Sequence, residues 1–376
     1  MSDKTMKKFV YADNAATTKL DYDAFEAMKP YLLEEYGNAS QLYSFSRTSK
    51  KALKEARKII AKCINARPEE IYFTSGGTES DNWAIKGVLS VSDKRMLITS
   101  EFEHKAILNS AKTIEASGDN VEYIKPTCDG MIEPSKLKEV ISNNTGLVSI
   151  MYANNEIGSI QPIKELCEIA HNNGALFHTD AVQALGHLNI DVQELGVDLL
   201  SASAHKFNGP KGIGFLYIKT GTRINSYMDG GSQEQSFRAG TENVAAIVGM
   251  AYALKKNCDH MNEYSAFIKF LEDEFLKSIS CLEFKKNGGN HTLPGNISLS
   301  FRGKSGEAIL HRLDLRGICM STGSACNSSS TQISHVLDAI GMSKDYAMGT
   351  IRLSIGKENT IEEIRYIADE LKKIIM

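Results

Sequence analysis

The chain has 376 residues, 42% hydrophobic and 24% charged, with 43 Lys plus Arg against 46 Asp plus Glu. That is ordinary globular usage at a length beyond what one hydrophobic core serves, so two domains are expected. A formal charge of −3 with scattered basic residues argues against nucleic-acid binding, and no apolar run reaches the ~18 residues of a membrane span.

Residues 1–8 carry lysines but no apolar stretch follows, so the segment does not read as a secretory signal and a cytoplasmic protein is expected. Leu53, Ala56, Ile60 and Cys63 recur at three to four residues and predict an amphipathic helix. The seven cysteines (63, 128, 167, 258, 281, 319 and 326) are odd in number and lack zinc-knuckle or thioredoxin-type spacing. Reduced thiols and no metal site are expected, with Cys63 and Cys167 read as small core residues.

Short apolar runs at 71–74, 96–99, 121–124, 147–151, 175–179, 199–202 and 213–216 predict buried strands, with helical spacing between them, as at 163–172. The alternation predicts an α/β domain with a largely parallel sheet and helices on both faces. After about residue 255 the pattern becomes a long helical stretch, then strand-like 296–301, 318–326 and 351–355, a smaller α+β domain. Thr360 followed by Glu363 predicts a capping box opening a final helix with Ile361, Ile364, Ile367, Leu371 and Ile374 on one face.

Three motifs carry chemistry. The first predicted strand runs into Ser75-Gly76-Gly77-Thr78-Glu79-Ser80, a glycine turn opening a helix, which suits an anion. A plain strand-to-helix turn explains the two glycines about as well. His178-Thr179-Asp180-Ala181-Val182-Gln183 puts a carboxylate at the end of a buried strand, where open α/β sheets bind ligands. Asp180 there caps the next helix or pairs with a cationic ring nitrogen. Ser203-Ala204-His205-Lys206 with the following Asn208-Gly209-Pro210 places a lysine among small residues, suited to Schiff-base chemistry, although a single loop lysine is usually only exposed. Gly77, Thr78, His104, Asn155, Asp180, Gln183 and Lys206 all fall at or just after predicted strand ends, so they are free to converge.

Along nearly the whole chain, ordered segments match one family: 13–18, 73–82, Glu103-His104-Lys105, Ala153-Asn154-Asn155-Glu156-Ile157-Gly158, the Asp180 and Lys206 motifs, Arg238-Ala239-Gly240-Thr241-Glu242-Asn243, 321–326 and Ile351-Arg352-Leu353-Ser354. The chain resembles the NifS/IscS-type cysteine desulfurases, fold-type I, aminotransferase-like pyridoxal-phosphate enzymes. The resemblance implies a seven-stranded, mostly parallel large domain (15–255) binding the cofactor and a small α+β domain (1–14 and 256–376) carrying the reactive cysteine. It implies that Lys206 holds pyridoxal 5'-phosphate covalently, Asp180 pairs with the ring nitrogen, Gln183 bonds the ring hydroxyl and His104 lies over the ring. Gly77, Thr78, Ser203 and His205 then contact the phosphate, with Thr241 supplied by the second subunit of a homodimer, and Asn155 and Arg352 grip the substrate carboxylate.

The implied reaction converts L-cysteine to L-alanine with a persulfide on Cys326, passed to an acceptor protein such as an iron-sulfur scaffold or a tRNA-thiolating enzyme. A selenocysteine lyase or an aminotransferase on the same fold is the alternative. Cys326 sits in Ser321-Thr322-Gly323-Ser324-Ala325-Cys326, without a large apolar side chain, which predicts a mobile loop and resembles the family's long-loop branch. Its thiol pKa is expected near ~8.5 until the loop enters the site. The chain departs from the family at Ala39 and Tyr43, where relatives carry proline and histidine, and at Ile333, where they often carry proline.

Overall fold

The structure, a computed structural model, describes residues 9–322 and 333–376. Its strands are β1 (Val10–Tyr11), β2 (Ile71–Thr74), β3 (Met96–Ser100), β4 (Asn120–Ile124), β5 (Thr145–Ser149), β6 (Leu176–Asp180), β7 (Leu199–Ser203), β8 (Gly214–Ile218), β9 (Lys285–Lys286), β10 (Asn296–Ser300), β11 (Ile318–Cys319) and β12 (Thr350–Ser354). The seven predicted runs are β2 to β8, joined in one sheet in the order β2-β8-β7-β6-β5-β3-β4. Neighbours from β4 through β7 are parallel, whereas β8 runs antiparallel to both β2 and β7. Strands β5, β7 and β8 are buried at every residue, because helices cover both faces and leave no wet side to force alternation.

On one face pack the helices Arg47–Cys63, Ile163–Asn172 and Val244–Asp259, with Leu53, Ile60, Leu166 and Met250 in a common core. The predicted stripe of the first helix is that core-facing face, although Cys63 at its end is only half-buried; Cys167 is fully buried. On the other face lie the helices Gly77–Val91 and Lys105–Ala116, around the fully buried Trp83. The indole Nε1–H of Trp83 donates to the Asn225 carbonyl at 2.9 Å, so its burial leaves no polar atom unpaired.

A separate apolar core gathers Val10 and Ala12 with residues from Ile268 to Ile375. Around it β12, β10 and β9 form an antiparallel sheet, and β1 pairs in parallel with β11. The long helical stretch divides into Val244–Asp259 and Met261–Ser278 at His260, whose φ of −113° and ψ of 15° break the helix. The final helix, Ile361–Ile375, carries the predicted capping box: Glu363 N–H donates to Thr360 Oγ1 at 3.2 Å and Thr360 N–H to Glu363 Oε2 at 3.0 Å. Such a cap stabilises a helix by about 1 kcal/mol.

At the departures from the family pattern, Asn38 Oδ1 accepts from Ser40 N–H at 2.9 Å and Ser46 Oγ donates to Tyr43 O at 2.7 Å. Local side-chain bonds thus close this loop without a proline, and Tyr43 is left half-exposed at 51%. Among the described residues, no helix is long and apolar enough to cross a membrane.

Candidate active site

The sheet order reverses between β5 and β3, and a cleft of about 600 Å³ opens there at the C-terminal ends of the strands. A second cavity behind Gln183, near His187 and Lys357, measures only about 60 Å³ and is too small for a cofactor.

At one end of the cleft, β2 turns into the helix Gly77–Val91 through Gly76 at φ +151°, a conformation costly for any residue with a Cβ. At Gly77, a Cβ would come within 2.6 Å of Val182 Cγ2. The first N–H groups of a helix have no intrahelical acceptors and lie at the positive end of its dipole. Thr78, Ser203 and His205 line the same end. Burial first, then Lys206 and Lys211, pushes the His205 imidazole down to about 4, so it is neutral at pH 7 and bonds Thr17 Oγ1 at 3.1 Å. Hydroxyls, an imidazole and helix N–H groups together suit a phosphate.

At the centre sits Asp180, the last residue of β6, 5% exposed. Its Oδ1 accepts from Val182 N–H at 2.9 Å and closes a turn; no helix begins there, the next being Val192–Leu195 capped by Asp191, so the helix-capping reading is not met. Burial raises its pKa, opposed by His104 and Lys206, which is the state of a carboxylate lacking a full countercharge. His104 caps the helix Lys105–Ala116, accepting from Ala106 N–H on Nδ1 at 3.2 Å. Burial pushes its pKa down, so the neutral ring carries its proton on Nε2.

Lys206 follows β7 on a short 3₁₀ turn, Ala204–Lys206. Its Nζ donates to the carbonyls of Ala15 at 2.6 Å and Ala16 at 2.9 Å, and Gln183 Nε2 donates to Ala15 O at 2.9 Å. The strap after β1 therefore crosses the cleft and aims the lysine. Asn14 Nδ2 ties the strap to Ser354 O at 2.9 Å, and Thr18 Oγ1 ties it to His205 O at 3.0 Å.

Across the cleft Arg352, in β12 and 3% exposed, donates from Nη1 to Asn155 O at 2.8 Å and from Nη2 to Asp13 Oδ1 at 2.6 Å. Its Nε–H is buried without a partner. An unmet buried donor costs roughly 1–3 kcal/mol. Asn155 thus positions Arg352 through its backbone carbonyl while its side chain also lines the cleft.

The structure brings together Gly77, Thr78, His104, Asn155, Asp180, Gln183, Ser203, His205, Lys206 and Arg352. Thr241 is exposed and does not line this chain's cleft. Its segment is nevertheless tied to the glycine turn: Arg238 Nε donates to Glu79 Oε1 at 2.8 Å, and Glu79 Oε2 accepts from Ser75 N–H at 2.8 Å. Cys326 lies outside the described residues.

Sequence reading alone did not single out the roles of Asp13, Glu156, Ser334 and His335. Ser334 Oγ donates to Glu156 Oε2 at 2.5 Å and His335 Nε2 to Glu103 O at 2.9 Å, which pins the chain just beyond residue 332 to the cleft wall. The signal for Asp13 and Glu156 was their place inside matched segments; Ser334 and His335 had none. In total, a buried carboxylate at the centre, an anion-binding end, an aimed amine and an arginine with an unmet donor fit a flat cationic ring bearing a phosphate, next to an amino-acid carboxylate.

Comparison with known proteins agrees. The aminotransferase class-V family model matches residues 10–367. A cysteine desulfurase IscS of Dictyoglomus turgidum is 48% identical, covering 98% of this chain and 95% of its own. The solved structure of a NifS-like protein superposes with a TM-score of 0.93 at 35% identity, over 98% of this chain and 99% of the other. A second, described as SspA in complex with cysteine, gives a TM-score of 0.84 at 37% identity over 93% and 99%. Matched by the family model over residues 10–367 and by a relative 48% identical over 98% of its length, the chain belongs to the aminotransferase class-V family and, within it, to the NifS/IscS type.

Proposed function

We propose that this protein is a pyridoxal-phosphate cysteine desulfurase, converting L-cysteine to L-alanine and leaving the sulfur on Cys326. The observation that carries the reading is the placing of Lys206, Asp180 and Arg352 around one cleft, in a chain whose relatives over nearly full length are named cysteine desulfurases. Pyridoxal phosphate, when bound, supplies an electron sink for the substrate Cα. Lys206 holds it and then accepts the Cα proton on Nζ; Asp180 keeps the ring nitrogen protonated; Gln183 bonds the ring hydroxyl. The turn at Gly77 and Thr78, with Ser203 and His205, holds the phosphate, and His104 covers the ring face. The Nε–H of Arg352 takes the substrate carboxylate, which fixes the amino acid relative to Lys206. The Cys326 thiolate would then attack the substrate sulfur: an S–S bond forms and the C–S bond breaks with its electron pair left on the substrate Cβ, which takes up a proton, and Lys206 Nζ returns the Cα proton so that alanine leaves.

The test is direct. Purified protein loaded with pyridoxal phosphate and given L-cysteine plus a thiol reductant is expected to release alanine and sulfide in equal amounts. Release of pyruvate or ammonia in place of alanine would reject the desulfurase reading.

The homodimer is part of the same proposal. Tyr22, Leu32, Leu33, Tyr36 and Leu42 are 55–94% exposed along the helix Tyr22–Leu33 and the loop after it, and these apolar side chains are the surface proposed to meet the second subunit. Thr241, outside its own chain's cleft, then reaches the partner's phosphate. Sedimentation is expected to give a dimer, and Thr241→Ala to weaken cofactor affinity several-fold while the dimer persists. A fully active monomer would refute this assignment. The separate core around Val10, Ala12 and residues 268–375 supports the division into 15–255 and a small domain of 1–14 with 256–376. The acceptor is proposed to be an iron-sulfur scaffold or a tRNA-thiolating enzyme, in the cytoplasm.

A further inference from the structure

Beneath the candidate ring site lies a second buried carboxylate to which neither the motifs nor the proposed reaction give a role. Asp81 stands in the first turns of the helix Gly77–Val91, 1% exposed, and its Oδ1 has no hydrogen-bond partner. One oxygen of Asp81, one of Asp180 and a ring nitrogen of His104 all lie within 4.8 Å of one another. The nearest imidazole beneath them is His178, whose Nε2 is 3.8 Å from Asp81 Oδ1.

Charge decides which protonation states are possible here. His178 is wholly buried and its pKa is pushed down to about 3, so it brings no positive charge. His104 is neutral for the same reason. Burial raises the pKa of Asp81 most, then the Asp180 carboxylate, from β6, and to a lesser degree Glu103, from the loop after β3, whose own carboxyl is pushed up to about 8; the Ser201 hydroxyl opposes them. Asp180 is better placed for ionisation, because it has the Val182 N–H and the nearby Lys206 ammonium. Two buried carboxylates this close, with no cation between them, do not both ionise.

We propose that Asp81 is a positioning residue that stays protonated and leaves Asp180 as the single anion presented to the cofactor ring. Beneath Asp81, Ser201 Oγ lies 2.9 Å from His178 Nε2 and His178 Nδ1 lies 2.9 Å from Ser149 Oγ, so the buried imidazole is satisfied without drawing on Asp81 Oδ1. The orphan Oδ1 is then the carbonyl oxygen of a neutral acid, far cheaper to bury than a carboxylate oxygen. This rests on the reading that Asp180 faces the ring nitrogen, and the first readout below does not depend on the cofactor.

Infrared spectroscopy of the cofactor-free full chain, labelled with carboxyl-¹³C aspartate, tests it. The label separates aspartic acids from Glu103 and Glu156, which are also buried carboxyls with raised pKa values. At pH 7.5 one isotope-shifted carbonyl band of a protonated aspartic acid is expected, absent in Asp81→Asn and titrating at lower pH in Asp180→Asn. In the loaded protein, Asp81→Asn mimics the neutral acid and is expected to keep cofactor affinity within about threefold and the visible absorption maximum unchanged, whereas Asp180→Asn loses affinity at least tenfold. Absence of the band in the wild type would overturn the proposal, as would Asp81→Asn weakening cofactor binding as much as Asp180→Asn. Failure of the cofactor reading itself would show differently: wild type would bind no pyridoxal phosphate while the band remained.

Discussion

Lys206→Ala is expected to remove turnover of L-cysteine almost completely while leaving the protein folded. Proton transfer by a positioned group alone is worth roughly 10²- to 10⁴-fold, and Lys206 is proposed both to hold the cofactor and to move the Cα proton, so a loss of at least about 10³-fold is expected. The fold should survive, since the side chain is half-buried and its two acceptors, Ala15 O and Ala16 O, border a cleft where water can replace Nζ. Cofactor is expected to be retained only through the turn at Gly77, Ser203, His205 and Asp180. Borohydride reduction followed by peptide mapping checks the assignment: the adduct should sit on Lys206 in the wild type and vanish in the variant. Lys211 also lines the cleft, so an adduct on Lys211 would show that the wrong lysine has been chosen.

Cys326→Ser is expected to separate sulfur transfer from everything else at the site. Serine is close in size to cysteine and a far weaker nucleophile at neutral pH, so alanine and sulfide formation should fall by roughly 10²-fold or more. Cofactor content and the spectral change on adding L-cysteine should stay near wild type, because Lys206, Asp180, Gln183 and the Gly77 turn, proposed to hold the cofactor, are all unchanged in this variant. Brief exposure of the wild type to L-cysteine without reductant should add sulfur mass to the peptide carrying Cys326.

Cys63, Cys167 and Cys319 make poor substitutes for physical reasons. Burial, with Asp198, pushes the Cys167 thiol up to about 12. Cys63 is raised well above the ordinary range, chiefly by its contact with Cys258 and by burial, and Cys319 is raised by burial, Asp314 and Asp13. A thiol held protonated is neither a good nucleophile nor a good sulfur acceptor. Sulfur mass on any of these peptides, or an undiminished rate in the serine variant, would point to a lyase acting without a protein nucleophile.

Much of the fold was legible before the structure because the physics that builds it is local. A strand covered on both faces is apolar or small at nearly every position, so 71–74 and 199–202 announce themselves, and Thr360 with Glu363 satisfies its helix end within four residues. The break at His260 was not legible, since nothing in the helical periodicity around it interrupts the pattern. Of the site, Lys206, Asp180 and the Gly77 turn stand out as residue types at strand ends, where an open sheet leaves space for a ligand.

What only the tertiary structure decided is which of these groups are held, by what and in which charge state. Arg352 is aimed by Asp13, 339 residues away in sequence, and Lys206 by the carbonyl of Ala15, 191 residues away. A backbone carbonyl has no signature in sequence, and the place of Asp13 in a matched segment does not say which arginine it meets, so neither contact could be read there. Asp81 looks in sequence like any polar residue of a helix, and becomes a buried acid facing Asp180 only once the helix packs beneath β6 and β7. The chain alone determines residue types, periodicities and caps, because those depend on neighbours a few residues apart. Burial and the approach of distant charges set protonation and orientation, and both exist only after the sheet, the strap of residues 12–18 and β12 have closed on one another.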